Sequence, residues 1–266
     1  MKPIRRLVLF SGALLLGLLG GGNFAHAAAL YAHIEFTEGT ASIVDANGQS
    51  RSAQVGDTIL EGETIVTGKD GELHARTDDY GYIALRPNTK MKVETYRARA
   101  DKDDSSVISL AFGALRSITG WIGKAQPSRY SVRTTTATIG IRGTDHEPTF
   151  IPPGETAIGP PGTYDKVNTG ATYIENQAGR VNVDANRAGF APHAQGAAPR
   201  VLDRIPEFYR PTRNESRIHK RKEELAKEVD RHHLERQKTA DKEAAKDESH
   251  KKAAPAKKKR VTPPGK

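Results

Sequence analysis

Paired carboxylates are the first chemistry these side chains could support. Asp78 and Asp79 are adjacent, Glu94 lies sixteen positions on, and Asp101-Lys102-Asp103-Asp104 is a second acidic cluster. Two carboxylates flanking one glycosidic bond at about 5–9.5 Å can hydrolyse it. Asp78 or Asp79 with Glu94 is therefore the one arrangement that would make the chain a polysaccharide-acting enzyme. Its only support is the abundance of acids, and acids between strands are ordinary turn chemistry. Neither cluster has the alternating ligands, sixth-position Gly and terminal Glu of a calcium loop. His146-Glu147 and His232-His233 are adjacent pairs, which diverge on a strand or a helix and do not converge on a metal. There is no Gly-x-Ser-x-Gly, phosphate loop, His-Glu-x-x-His or dinucleotide fingerprint. Zero cysteines exclude a disulfide scaffold, a thiol nucleophile and a Cys-ligated metal. The expectation is a non-enzyme with no catalytic residue, no metal and no cofactor.

Binding chemistry is better represented. Arg142 stands between Gly140 and Gly143, a planar five-donor fork beside two flexible points. Glycine neighbours usually report backbone geometry, so Arg142 is expected inside the fold, capping carbonyls or pairing with a carboxylate. The alternative is a ligand-facing Arg142, with Thr144 beside it. Trp121, the only Trp, follows Gly120. It reads as a core or rim anchor, with a sugar-stacking platform as the alternative. Arg142, Thr144 and Trp121 are the candidate binding residues.

The elements that must position them read as β-strands. Asn47-Gly48 between two extended segments is a strong hairpin signal. Strands follow at 63–67, 72–77, 81–86, 90–96, 107–112, 114–118, 130–141, 163–168, 171–175 and 180–184, with turn signals about every 8–12 residues. The spacing predicts an all-β fold, a single β-sandwich or β-roll domain over 30–190, followed by a Pro/Ala-rich linker over 191–210. The strings Gly39–Gly48 and Gly179–Gly189, each with an Asp-Ala-Asn, could be equivalent hairpins.

Charge is uneven along the 266 residues. Residues 28–210 hold 20 basic and 22 acidic side chains, residues 211–266 hold 18 and 10, and the first 27 hold three basic and none acidic. The net +9 belongs to the two ends, which argues against a basic nucleic-acid-binding globule. Residues 1–27 read as a signal peptide: Lys2, Arg5 and Arg6, an apolar run of 13 from Leu7 to Leu19, and Ala25-His26-Ala27 with cleavage after Ala27. The run is short of the ~20 residues that span a bilayer, so the mature chain is expected to lack a transmembrane span and to be periplasmic or secreted. Residues 211–250 read as a charged, coiled-coil-like helix with opposite charges four apart. Ile218, Leu225, Val229 and Leu234 are its large apolar residues, too few to bury it, so its removal should leave the β domain's melting temperature unchanged. Residues 251–266 read as a disordered basic tail.

One string is more specific than any of these. Arg129–Asp145, with Val132-Arg-Thr-Thr-Thr-Ala and Gly140-Ile-Arg-Gly-Thr144, resembles the signature of the FecR family of periplasmic domains. Val55-Gly56-Asp57 with Gly62–Gly68, Tyr82–Thr89 with Pro87 and Asn88, and Leu110–Leu115 resemble its upstream pieces in order. The resemblance covers about 39–150 and extends to 190, with Thr135 in place of the commoner Pro and His146 in place of an aromatic. It implies that Gly56, Asp57, Pro87, Asn88, Gly140 and Gly143 are structural motif positions. In that family the domain passes a signal from an outer-membrane receptor to a sigma factor by way of a cytoplasmic arm. Only Met1–Arg6 precede the apolar run here, so the expectation is a cell-envelope adaptor, scaffold or signal-sensing module that binds a partner protein. The alternative is an anion-binding surface protein whose basic tail meets an anionic polymer or membrane.

Overall fold

The computed structural model describes residues 28–155 and 157–253. The segment read as a signal peptide, with the cleavage expected after Ala27, and residues 254–266 lie outside the described residues. The body is built from β1 (Leu30–Glu38), β2 (Ala41–Val44), β3 (Ser50–Ser52), β4 (Thr58–Leu60), β5 (Thr64–Thr67), β6 (Glu72–Thr77), β7 (Tyr82–Leu85), β8 (Thr89–Arg97) and β9 (Ser105–Ile118). A short helix α1 (Trp121–Ala125) leads to β10 (Tyr130–Arg133), β11 (Thr138–Ile151), β12 (Gly162–Asn176), β13 (Gly179–Asp184), β14 (Arg187–Pro192) and β15 (Arg200–Val201). A helix of 39 residues, α2 (Glu215–Ala253), ends the described chain.

Strand β9 is the seam of a roll. One of its edges carries β8 and β7 and the other carries β10 and β11. From β8 a ribbon continues through β5 and β2 to β3; from β7 another continues through β6 and β1 to β4. Alternation sets which side chains face inward. In β8, Met91 and Val93 are buried while Lys90, Lys92 and Glu94 face out. Ile43, Ile65, Leu73, Leu85, Met91, Val93, Ile108 and Leu115 from both ribbons share one core. The fold is all-β with a C-terminal helix, as its turn spacing predicts.

Several boundaries differ from the sequence reading. Asp45 Oδ1 accepts the backbone N–H of Asn47 and of Gln49 at 2.8 Å each, which builds the expected β2–β3 hairpin. The Asp184–Asn186 string does not make a second one. Strands β13 and β14 both run antiparallel to β12, and Asn186 donates to the Val167 carbonyl between them. The expected strand 130–141 is two strands, turned back by Thr134, whose Oγ accepts the N–H of Thr136 and of Ala137 at 3.1 Å.

The largest correction concerns α2. Ile218, Leu225 and Val229 are 0%, 2% and 3% exposed, buried against the roll. The stripe that meets the roll runs through Glu215, Ile218, Lys222, Leu225, Val229, His232 and Arg236, a 3–4 spacing that keeps it on one face, with Arg217, Arg221 and His233 flanking it. Four of those seven residues, Glu215, Lys222, His232 and Arg236, are charged or polar, and each finds a partner in the roll. Counting only large apolar residues therefore underestimates what α2 can bury. The helix also continues to Ala253, past the expected end at 250 and into the segment read as disordered.

Candidate functional site

The Arg129–Asp145 string crosses the molecule from an open rim to a buried ion pair. At the rim, Thr134 and Thr136 each hydrogen-bond the Thr163 hydroxyl, at 2.6 and 2.5 Å. Their turn, with the β12–β13 turn and the 192–196 loop, lines an open polar groove of about 650 Å³. Thr135, in the position of the commoner Pro, lies on this groove.

Further along β11 the two glycines do different things. A Cβ on Gly140 would lie 2.1 Å from the Tyr173 ring, so this strand presses its backbone onto the aromatic of β12. Gly143 has φ +59 and nothing nearer than 4.0 Å to a Cβ, so only the left-handed backbone excludes other residues. A left-handed alanine costs about 1–2 kcal/mol. Overpacking a ring costs about 1–3 kcal/mol and more when the ring is itself pinned, as Tyr173 is by Arg180 at 3.9 Å. Gly140→Ala is therefore expected to lower the thermal midpoint more than Gly143→Ala. The reverse order in paired melting curves would mean that Tyr173 swings aside.

At this bulge Arg142 is exposed, and no hydrogen bond or ion pair holds it among the described residues. The expectation that it is tied inside the fold is overturned. The bulge shifts the register of β11 against β12 after Arg142, and the side chain is left in solvent. Thr144 is buried, and its carbonyl accepts Thr119 N–H at 3.0 Å while its own N–H donates to Thr119 Oγ at 3.0 Å. Trp121 is 1% exposed and donates to Asp104 at 3.0 Å. His233 and Arg236 of α2 cover its ring at 5.6 and 5.3 Å, so it is a core anchor and has no face open for sugar stacking. Arg142, Thr144 and Trp121 thus do not share one surface.

The carboxylates read as possible catalysts each have separate partners. Asp78 accepts two bonds from Arg236 at 2.7 and 3.0 Å. Asp79 is buried, bonded by Thr77, Tyr96 and the Ile122 N–H, and burial raises its pKa in spite of those bonds. Glu94 pairs with Arg133 at 3.4 Å. Among the described residues no cluster of three His, Asp or Glu side chains could hold a metal.

The string ends at Asp145, the centre of the strongest polar network. Arg116 donates to it twice, at 2.8 and 2.7 Å, and Lys222 of α2 adds a bond at 2.6 Å. Burial alone would raise the Asp145 pKa; the bonds and charges of Arg116 and Lys222 outweigh it and hold the group at about 2. Arg116 also pairs with Glu215, the first residue of α2, and Arg86 joins Glu215 to Glu147 at 3.0 and 3.3 Å. Lys166 and Asn168 complete Glu147, whose pKa is lowered against the effect of burial. Acids at the helix N-terminus also meet its positive dipole end. The motif positions Gly56, Asp57, Pro87 and Asn88 lie at turns, where Asp57 accepts Gln54 N–H at 3.0 Å and Asn88 donates to the Gly68 carbonyl at 2.9 Å.

Residues 63–150 match the family model described as FecR protein. The match spans a third of the chain. The match begins at Glu63, so Gly56 and Asp57 fall outside it, while Pro87, Asn88, Gly140, Gly143 and Asp145 fall within. Helix α2 lies wholly outside the FecR domain. No curated protein matches the chain. Among solved structures, two crystal structures of a candidate anti-sigma factor from Parabacteroides distasonis are similar at 11% and 12% identity, with TM-scores of 0.42 and 0.43. Each covers 54% of this chain, and this chain covers 61% of theirs. No helix among the described residues is long and apolar enough to cross a membrane.

Proposed function

We propose that the chain is a non-catalytic binding module of the cell envelope, exported by the 1–27 segment, whose FecR domain engages a partner protein. The FecR match over 63–150 carries this reading. The chemistry of the domain agrees with it: the buried carboxylates Asp79, Asp145 and Glu147 are occupied by internal partners. Of the exposed cations of the motif, Arg129 and Arg133 pair with Asp103 and Glu94, while Arg142 stands on a bulge without an ion-pair partner among the described residues. Arg142→Ala is expected to leave the thermal midpoint within the range of ordinary surface changes, about 0.5 kcal/mol, because nothing in the fold holds the side chain. The same variant should lose a protein captured from envelope extract by the wild-type chain. Capture that is indifferent to Arg142→Ala would remove the bulge from the interface.

The anionic-surface reading has one observation in its favour. Among the described side chains of α2, Arg236 makes the last contact with the roll. Residues 28–210 carry −2 and residues 211–236 carry +2, so the docked globule is neutral, while residues 237–266 carry +6. About 25 Å of helix extends past Arg236 to Ala253, at 1.5 Å per residue. On this reading the chain should adsorb to vesicles containing anionic lipid at low salt and release at physiological salt. Absence of adsorption at low salt would discard it.

A further inference from the structure

The face beneath α2 has the chemistry of a helix receptor. Glu35, Glu38, Asp78 and Asp145 present carboxylates, Arg86, Arg116 and Lys124 present cations to Glu215 and Asp230, and Phe36, Tyr80, Tyr82 and Trp121 present aromatic surface. Helix α2 answers each in kind. Arg221 is bidentate to Glu35 at 2.8 Å in both bonds, Arg213 bonds Glu38 at 3.0 Å just ahead of the helix, and Arg236 clasps Asp78. Arg217 lies 4.4 Å over Phe36, His232 stacks on Tyr80 at 3.9 Å, and Ile218 and Leu225 seat against Tyr82 and Ala84.

Three features distinguish this seat from an ordinary core contact. The helix adds nothing to the sheet ladder, in which every pairing is between strands. Its stripe is half ionic, and ion pairs at a partly open boundary weaken with salt where apolar contacts do not. Helix and FecR domain are separate in the family match, so the seat is assembled from the domain plus β1, while its occupant is an appendage.

We infer that this acidic–aromatic face is a regulated docking surface: α2 occupies it in cis, and a partner protein occupies it with a basic amphipathic helix of the same pattern. This deepens the binding-module reading and rests on it. The partner helix would place two aliphatic residues seven apart, as Ile218 and Leu225 are, with arginine or lysine flanking them to meet Glu35, Asp78 and Asp145. Charge complementarity selects that occupant. With α2 unseated, Glu35, Asp78 and Asp145 lose Arg221, Arg236 and Lys222, while Arg86 and Arg116 lose Glu215 and Lys124 loses Asp230, so the occupant that fits is a helix with an acid in its first turn and basic residues beyond it. While α2 is seated, the surface is closed to such a partner, and the stretch after Arg236, where Gln237, Lys238, Thr239, Asp241 and Lys242 are exposed, is the segment through which the helix can be drawn off.

The test uses the full-length chain and a fluorescent peptide of residues 213–242 as the probe. In the double variant Ile218→Asp/Leu225→Asp the chain's own helix cannot seat. This variant is expected to bind the peptide at least ~10-fold more tightly than wild type, measured by anisotropy, with affinity falling as salt rises. A peptide carrying Arg221→Glu and Arg236→Glu should not bind. A milder full-length variant, Arg221→Ala/Arg236→Ala, keeps the apolar anchors and should show an intermediate gain, which covers the case in which the double Asp variant unfolds. The inference is overturned if the variants keep their near-ultraviolet circular dichroism yet ignore the peptide, or if wild type binds it equally well. Assembly of the variant into dimers that shut out the peptide would assign the face to a second copy and overturn the partner assignment. Failure of the peptide leaves capture through Arg142 untouched, so the two readings fail separately.

Discussion

Removing residues 215–266 is expected to lower the thermal midpoint by about 10 °C or more. Burial of Ile218, Leu225 and Val229 contributes about 1.5–3 kcal/mol each. For a chain of this size each kcal/mol moves the midpoint by roughly 2–4 °C. The truncation also strips Glu215 from Arg86 and Arg116, and Lys222 from Asp145. Polar groups left near a boundary without partners add to the loss. A charged helix with so few large apolar residues would by composition alone be a dispensable solvated spacer, and the docked geometry reverses that expectation. Differential scanning calorimetry of the full and truncated chains decides it: an unchanged midpoint would mean that α2 is not seated in solution.

Breaking the Arg116–Asp145 pair is expected to cost about 3–5 kcal/mol, because the remaining charge stays buried with too few partners. Arg116→Met leaves Asp145 with Lys222 and Asn168. Asp145→Asn leaves Arg116 with Glu215 alone. Both should unfold at lower denaturant concentration with little change in slope. The pair also sets an acid limb. The Asp145 pKa is depressed in the folded chain to about 2, so its contribution is fully present above the unfolded value near ~4 and is lost as pH falls toward 2. By linkage that contribution is about 2–3 kcal/mol. Asp79 works in the opposite sense: burial raises its pKa, so the stability tied to its proton is present at low pH and lost as pH rises through its folded value. Comparing wild type with Asp145→Asn between pH 2 and 5 isolates the Asp145 contribution. The stability difference between them should shrink as pH falls; a constant difference would mean that Asp145 is not held ionised by Arg116 and Lys222.

Local chemistry is legible in the residues themselves. Asn47-Gly48 specifies its hairpin because the turn needs a positive φ and an Asx acceptor, and Asp45 supplies the acceptor. Alternation in Thr89–Arg97 specifies which side chains enter the core, since a strand has two faces and only one is covered. Gly140 and Gly143 announce a strand that bends and presses on its neighbour, although which glycine does which depends on Tyr173, thirty-three positions away. The FecR string is likewise legible through its ordered pieces.

The helix seat and the exposure of Arg142 were decided only by tertiary structure, and the reason is the same for both. Whether a charge is buried depends on whether an opposite charge from a distant strand arrives within hydrogen-bond reach. Lys222 is sequestered because Asp145 is presented to it, and Arg221 because Glu35 is. Arg142 stays in solvent because the β11 bulge leaves it without a carboxylate partner among the described residues. Apolar periodicity detects only stripes that bury themselves by hydrophobic transfer. In α2 the 3–4 spacing of Glu215, Ile218, Lys222, Leu225, Val229, His232 and Arg236 is written in the sequence, yet it becomes a binding face only when the roll brings Arg116, Asp145 and the turn carrying Asp78 and Tyr80 together from three separate segments.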